Sequence, residues 1–398
     1  MLPYWNVAEF RAIGGICNAM TPEDEHHPST QHSRTPPGAL PGTLVVDPDA
    51  PMPTITVFGY GPTGYVEQQV EGPQDIPKFV EEWPMIWVNV DGLGDRDVLQ
   101  QLGTMFELHR LALEDVVGVH QRPKVDQYGE QLFFVARMVY RTDEIVTEQI
   151  SMFLGEDYLL TFQEREAGDC FEPVRDRIRK GYGRVRNNGS DFLAYCLIDA
   201  LVDAYFPIIE TYGDHLEELE DEVLDAPTQQ IVGEIHQARR DLLVLRRAIW
   251  PLREAINSVL RDRESNFTQE TRVYLRDCYD HTIQILDLVE AYRELVSDLM
   301  DVYLSSLSTK LNEVMRVLTV IATIFIPLTF VTSLYGMNFN TQTSPWNMPE
   351  LNWVFGYPMV ILIMLAMALG QLYFFWRRGW LGTTLDTKDK TRDKKDRR

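Results

Sequence analysis

The run VLTVIATIFIPLTFVTSLYGMN occupies residues 317–338, and its reading decides the architecture. From Val317 to Tyr335 it carries no charge. As a helix this stretch rises roughly 28 Å, the thickness of a bilayer's hydrocarbon core. A second uncharged run, Val354 to Trp376, has similar reach. One such run could be a buried core helix. Two in tandem are hard for a soluble domain to hide, so both are expected to cross a lipid bilayer.

Flanking charge sets the direction of crossing. The connection Gly336 to Trp353 contains no Lys or Arg. Lys310 and Arg316 precede the first run, Arg377 and Arg378 follow the second, and the tail continues KDKTRDKKDRR. Basic residues stay on the cytoplasmic side. Both termini are therefore expected in the cytoplasm, with the protein in the cell (inner) membrane and the short connection outside. Trp346, Trp353, Tyr357, Trp376 and Trp380 stand where interfacial aromatic belts belong.

Composition narrows the partners. The chain has 398 residues, with 59 acids against 37 Lys and Arg and a formal charge of -22. That balance argues against nucleic acid, which needs a basic surface. It suits divalent cations as partners, although an acidic surface is also ordinary for a soluble protein. Cys17, Cys170, Cys196 and Cys278 stand far apart, supporting neither a disulfide framework nor a zinc site. The first residues lack a basic stretch followed by an apolar run, so no signal peptide is expected. No P-loop, GxSxG or HExxH occurs, which disfavours an enzyme.

The remaining chain divides by pattern. Residues 1–52, rich in Pro, Ser, Thr, Asp and His from residue 21 onward, are expected to be a disordered extension. Its His26, His27 and His32 could bind metal only adventitiously. Residues 53–190 read as a cytoplasmic α/β domain. Strands are expected at 55–60, 85–90, 131–140 and around 158–162, and helices at Asp95–Phe106 and Phe171–Lys180. Residues 191–312 read as a helical stalk, with long helices at Asp191–Asp225 and Gln229–Arg261 split by Ala226-Pro227. A third begins near Thr268 and shows no stop before Leu334; at about 67 residues it would rise roughly 100 Å, with a kink at Pro327. In the segment 215–225, Leu216, Leu219, Val223 and Leu224 are expected on one apolar face. Then follow span 313–335, external loop 336–353, span 354–376 and basic cytoplasmic tail 377–398. The fold class is an α+β cytoplasmic domain, an α/β sheet with flanking helices, followed by long stalk helices and two C-terminal transmembrane α-helices.

The first span ends on Gly336-Met337-Asn338, and Met348-Pro349-Glu350-Leu351 follows in the loop. With QRPK at 121–124, LIDALVDAYF at 197–206, IWPLRE at 249–254, YDHTIQI at 279–285 and NEVMRVLT at 312–319, the chain resembles the CorA family of magnesium transporters from about residue 54 to Leu381. The resemblance implies a funnel-shaped homopentamer and a Mg²⁺ influx channel, with Co²⁺ and Ni²⁺ as further cargo. It makes Gly336, Met337 and Asn338 the selectivity filter. Neutral Asn amides can hydrogen-bond the waters that Mg²⁺ sheds reluctantly, without the grip of a carboxylate ring. The ordinary alternative is that Asn338 only caps a helix. Two spans cannot enclose a pore alone, so an oligomer is required. The resemblance places Asn312, Met315, Leu318, Ile326, Thr329 and Ser333 along the pore, with Met315 and Leu318 as a dewetting gate.

Four departures stand out. Ile326 replaces a frequent methionine, Ser333 a frequent glycine and Asn340 a frequent acid, and the loop gains TQTSPWN before MPEL. Glu350 is then the only carboxylate between Gly336 and Trp376, which predicts a weaker outer attraction for cations.

The resemblance also implies Mg²⁺ as a regulator. Asp115 and Asp301 would face each other across a subunit boundary with Mg²⁺ between them, and a second site would use Glu114, Asp199, Asp277 and His281. Carboxylates that repel until a cation bridges them make a natural closing device. A proton-coupled zinc transporter on the same scaffold is the alternative within transport; the retained Met337 and the lack of a His/Cys path speak against it. A membrane-anchored enzyme is the alternative outside it.

Overall fold

The computed structural model describes residues 38, 40–142, 145–165, 169–262, 266–340, 343, 344 and 346–380. These form two compact units: residues up to Gly213 with Arg240–Tyr292, and Asp214–Arg239 with the chain from Arg293 onward.

Among the described residues of the first unit, seven strands make one mixed sheet. They are β1 (Thr54–Gly61), β2 (Gly64–Val70), β3 (Met85–Asp91), β4 (Lys124–Tyr128), β5 (Gln131–Arg141), β6 (Ile145–Leu154) and β7 (Tyr158–Gln163), in the order β2-β1-β3-β7-β6-β5-β4. β3 and β7 run parallel. The other neighbours are antiparallel. α1 (Pro77–Glu82), α2 (Arg96–Met105), α3 (Arg110–Val117), α4 (Glu172–Lys180) and α5 (Ser190–Asp203) accompany the sheet. β3 is the near-continuous apolar run expected of a central strand. Its Trp87 is fully buried, lies 4.9 Å from the Phe58 ring and donates its indole N–H to Thr161 Oγ1 at 2.9 Å. Asp95 starts α2 by accepting from the backbone N–H groups of Asp97 and Val98 at 2.8 and 3.2 Å.

Three strands were not expected from the sequence. β2 and β4 are the sheet's edges, polar and half exposed, as edges must be to resist pairing with other chains. β6 carries Glu148, Gln149 and Ser151, all buried, which breaks its apolar pattern. Glu148 and Gln149 serve neighbouring backbone, and Ser151 accepts from Gln149 Nε2 at 3.2 Å. Glu148 accepts from Arg165 N at 2.8 Å and Gln149 from Gln121 N at 3.0 Å. The expected end of the disordered extension at residue 52 also needs correction. Residues 1–37 lie outside the described residues, but Leu44 belongs to the sheet's core and Pro51 O accepts from Gly94 N at 2.7 Å.

Burial raises the Glu148 carboxyl from 4.5 to about 7. The unfolded chain thus releases this proton near pH 4.5 and the folded chain near 7. Between those values the folded state binds more protons, so its stability falls as pH rises. Glu148→Gln keeps an oxygen for Arg165 N and cannot ionise. It is expected to stabilise the protein on the order of 2 kcal/mol at pH 8 and negligibly below pH 4.5. Thermal unfolding at both pH values checks this; an equal effect at both would show that ionisation plays no part.

The helix expected at Asp191–Asp225 is interrupted at Ala204, giving α5 and α6 (Tyr205–Asp225). Ser190–Leu224 is apolar and long enough to cross a membrane, yet 56% of its most apolar window is buried inside the structure. Its α5 portion packs on β6 and β7, so it is a core helix.

The second unit takes the rest of α6, the first part of α7 (Gln229–Arg261), α8 (Gln269–Tyr335) from Arg293, and α9 (Gly356–Arg377). Leu216, Leu219 and Val223 are buried in it, as are Ile231, Ile235, Val296 and Leu299. Leu224 is 57% exposed, against expectation: one residue beyond Val223 is a turn of 100° away from that face. α8 is a single helix of 67 residues that continues through Pro327. In the apolar windows of α8 and α9 only 6% of residues are buried.

Candidate functional site

α8 ends at Tyr335, and its closing bonds come from the residues that follow. Gly336 N donates to Thr332 O at 2.9 Å and Met337 N to Leu334 O at 3.3 Å. The helix is thus capped by backbone. Among the described residues the Asn338 side chain makes no hydrogen bond, and it is exposed. The capping alternative therefore has no support among the described residues.

The loop beyond is tied back to the helix end. Glu350 sits on a short 3-10 turn, Pro349–Asn352, and accepts from the Tyr335 hydroxyl at 2.8 Å. Its own backbone N–H, and then that hydroxyl, hold its carboxyl below the usual range. The turn lies against the start of α9 at Gly356. A Cβ there would come within 2.1 Å of Glu350 O, so only glycine permits this approach. Tyr335, Gly336, Glu350, Trp353, Gly356 and Tyr357 border a cleft of about 530 Å³. The Asn340 carbonyl accepts from Thr343 Oγ1 and Asn347 Nδ2, both at 2.8 Å. Thr341, Gln342 and Pro345 of the longer loop lie outside the described residues.

Asn312, Met315, Leu318, Ile326, Thr329 and Ser333 are all exposed in the single chain. So are Val314, Val317, Phe325 and Phe330, so exposure runs around the helix and does not single out one stripe. Apolar surface of this extent needs lipid or further copies of the chain to cover it.

The expected sensing residues fall in several settings. Asp115, on α3, accepts from Lys124 Nζ at 2.7 Å, and Lys124 also reaches Asp126 at 2.6 Å. Burial pulls the Lys124 ammonium down, but the hydrogen bonds it donates to the carboxylates of Asp115 and Asp126 push it up further, and it ends raised. Glu114 is engaged elsewhere, accepting from Gly42 N at 2.6 Å. Asp199 accepts from Cys278 Sγ at 3.5 Å; burial, then Asp203, raise its carboxyl against the pull of Arg177 and His281. His281 Nδ1 lies 3.7 Å from Asp203 Oδ1. Asp277 and Asp301 are exposed.

The structure thus brings Asp199 and His281 into one cluster, with Asp203 and Cys278 as members that sequence reading missed. The signal for Asp203 was its place four residues after Asp199, matching Asp277 and His281 on α8. Glu114 instead accepts from Gly42 N. Among the described residues of one copy, no group of three or more His, Cys, Asp or Glu is arranged to hold a metal.

Comparison with known proteins is consistent with this layout. The family described as "CorA-like Mg2+ transporter protein" matches residues 84–378. A Thermotoga maritima protein named "Cobalt/magnesium transport protein CorA" is 44% identical over 86% of this chain and 97% of its own length. A Methanocaldococcus jannaschii protein of the same name is 26% identical over 82% of this chain and 100% of its own. The solved structure titled "The complete structure of CorA magnesium transporter from Methanocaldococcus jannaschii" matches with a TM-score of 0.67 at 22% identity. It covers 85% of this chain and 100% of that one, a likeness of fold.

Proposed function

This chain belongs to the CorA family of Mg²⁺ transporters, and from that premise we propose that it is a Mg²⁺ influx channel filtered at Gly336-Met337-Asn338 and closed by cytoplasmic Mg²⁺. It is a transporter, not an enzyme. The observation that carries the filter is the exposed Asn338 amide, unbonded among the described residues, just beyond the last turn of a 67-residue helix whose final stretch from Val317 is uncharged. A ring of such amides, one from each copy, offers acceptors to a hydrated cation at the outer mouth.

Both termini lie in the cytoplasm in this reading, since the lysines and arginines flank the two spans on one side only. The channel is a homo-oligomer, expected to be a pentamer, because two spans per copy leave the exposed faces of α8 and α9 uncovered. Asn312, Met315, Leu318, Ile326, Thr329 and Ser333 line its axis. Met315 and Leu318 make its apolar constriction, where closing drives out water. Inside, Asp115 of one copy and Asp301 of a neighbour hold the regulatory Mg²⁺. Glu114, Asp199, Asp277 and His281 form the second site, with Asp203 added to it. Co²⁺ and Ni²⁺ are further cargo.

A negative interior favours entry of a divalent cation by about 4.6 kcal/mol per 100 mV. Protein reconstituted in liposomes holding a Mg²⁺-sensitive dye is therefore expected to admit Mg²⁺ faster when the interior is made negative. Entry that ignores the potential would point to electroneutral coupling, and no entry under any gradient would reject the channel.

A further inference from the structure

We infer that the first unit carries a binding site for a nucleoside polyphosphate, distinct from the cation sites and independent of the transport reading. The chain as a whole is strongly acidic, at -22. One cavity of about 640 Å³ departs from that balance: His120, Arg122, Arg137, Arg246 and Arg247 border it, with Glu164 as its single carboxylate. Its volume lies in the range of small-molecule sites.

The groups around it have different commitments. Arg137 belongs to the frame: its Nη2 donates to Val119 O at 2.9 Å, and its Nε and Nη2 to Gln121 O at 3.2 and 3.0 Å. Those bonds hold the strand-leading segment that presents Arg122. Glu164 accepts from Gln149 N at 2.6 Å and is drawn to Arg137, so its charge is already answered. Arg246 pairs with Glu290 at 2.6 Å. Arg122 and Arg247 are exposed and have no hydrogen-bond or ion-pair partner among the described residues. Trp250, on the same cavity, is 49% exposed.

Two uncommitted guanidinium forks and an open indole form a specific combination. The forks match phosphate oxygens bidentately. The indole offers a face for a base to stack on. A simple inorganic anion would use the arginines and leave the indole idle; a nucleotide uses both. Arg247 and Trp250 are three apart on α7, hence on one face of that helix, and Arg122 comes from the loop before β4.

Calorimetric titration of the full chain in lipid nanodiscs, in EDTA without Mg²⁺, tests this with ATP, GTP and tripolyphosphate. Saturable ATP binding is expected, weakened at least tenfold by Arg122→Gln together with Arg247→Gln, exposed changes that keep the side-chain stems. Trp250→Ala is expected to weaken ATP about tenfold and tripolyphosphate hardly at all. Thermal unfolding of each variant confirms that it is folded. No saturable ATP binding, or binding indifferent to the two arginines, would overturn the site. Tripolyphosphate binding as tightly as ATP would overturn the nucleotide as its ligand.

Discussion

Asn338→Ala is expected to abolish Mg²⁺ entry into proteoliposomes while leaving the protein folded and assembled. The side chain is exposed and makes no hydrogen bond among the described residues, so its removal strains nothing in a single copy. In the proposed filter, what it removes is the amide oxygen that would accept from the cation's bound waters. Mg²⁺ gives up that shell reluctantly, so a ring of methyl groups at the mouth forces a choice between dehydration and exclusion. A fall of at least tenfold in flux is the expected reading, about 1.4 kcal/mol or more at the entry step. Asn338→Asp provides the opposing case. A carboxylate ring binds the cation more tightly and releases it more slowly, so maximal flux drops although apparent affinity rises. Undiminished flux in Asn338→Ala would move the filter elsewhere.

The second large effect concerns closure. Asp115→Ala is expected to give a channel that conducts at internal Mg²⁺ levels that shut the wild type. Its inhibitory concentration should rise by about tenfold or more, the equivalent of about 1.4 kcal/mol of lost cation binding. The half-buried pair of Asp115 with Lys124 complicates the change, because Lys124 then has only Asp126. A partly exposed ion pair of this kind contributes on the order of 0–1 kcal/mol, too little to unfold the domain. Asp115→Asn, which keeps the shape and loses the charge, should behave like the alanine variant. Flux measured against internal Mg²⁺ decides the matter, and inhibition unchanged in both variants would remove Asp115 from the sensor.

The legible parts of the fold are those whose pattern is local. Strands β1, β3, β5 and β7 are apolar runs, and they lie within a residue or two of the expected 55–60, 85–90, 131–140 and 158–162. α7 spans Gln229–Arg261 as expected because Ala226-Pro227 ends its predecessor, and α8 has the expected 67 residues because nothing in its sequence stops it. β6 was hidden because Glu148, Gln149 and Ser151 are polar for a tertiary reason: the acidic and the amide side chain satisfy backbone that only the folded chain brings near, and Ser151 bonds the Gln149 side chain. β2 and β4 were hidden because edge strands resemble loops in composition. At the site, Gly336-Met337-Asn338 is a contiguous motif and could be read directly. The tie from Tyr335 to Glu350, the grip of Lys124 on Asp115, and the joining of Asp203 and Cys278 to Asp199 and His281 all link distant positions. The four-residue spacings of Asp199 with Asp203 and of Asp277 with His281 hint at one of these clusters, but no periodicity within a segment encodes the contacts between segments.

The lateness of the two proposed spans has a consequence for how the protein is made. The sheet's last strand closes at Gln163, whereas the first uncharged run begins at Val317, with the 153 residues from 164 to 316 between them. At translation rates of about 5–20 residues per second, roughly 8–30 s separate the two events. Every strand of the sheet has been synthesised by then, and the core around Trp87, with the apolar α5 packed on β6 and β7, can consolidate before either of the two uncharged runs appears. Insertion of the proposed spans would thus begin on a nascent chain whose sheet-forming strands have all been synthesised. Mutations that slow the sheet's folding should be felt first as chains that reach the membrane with an unfinished domain.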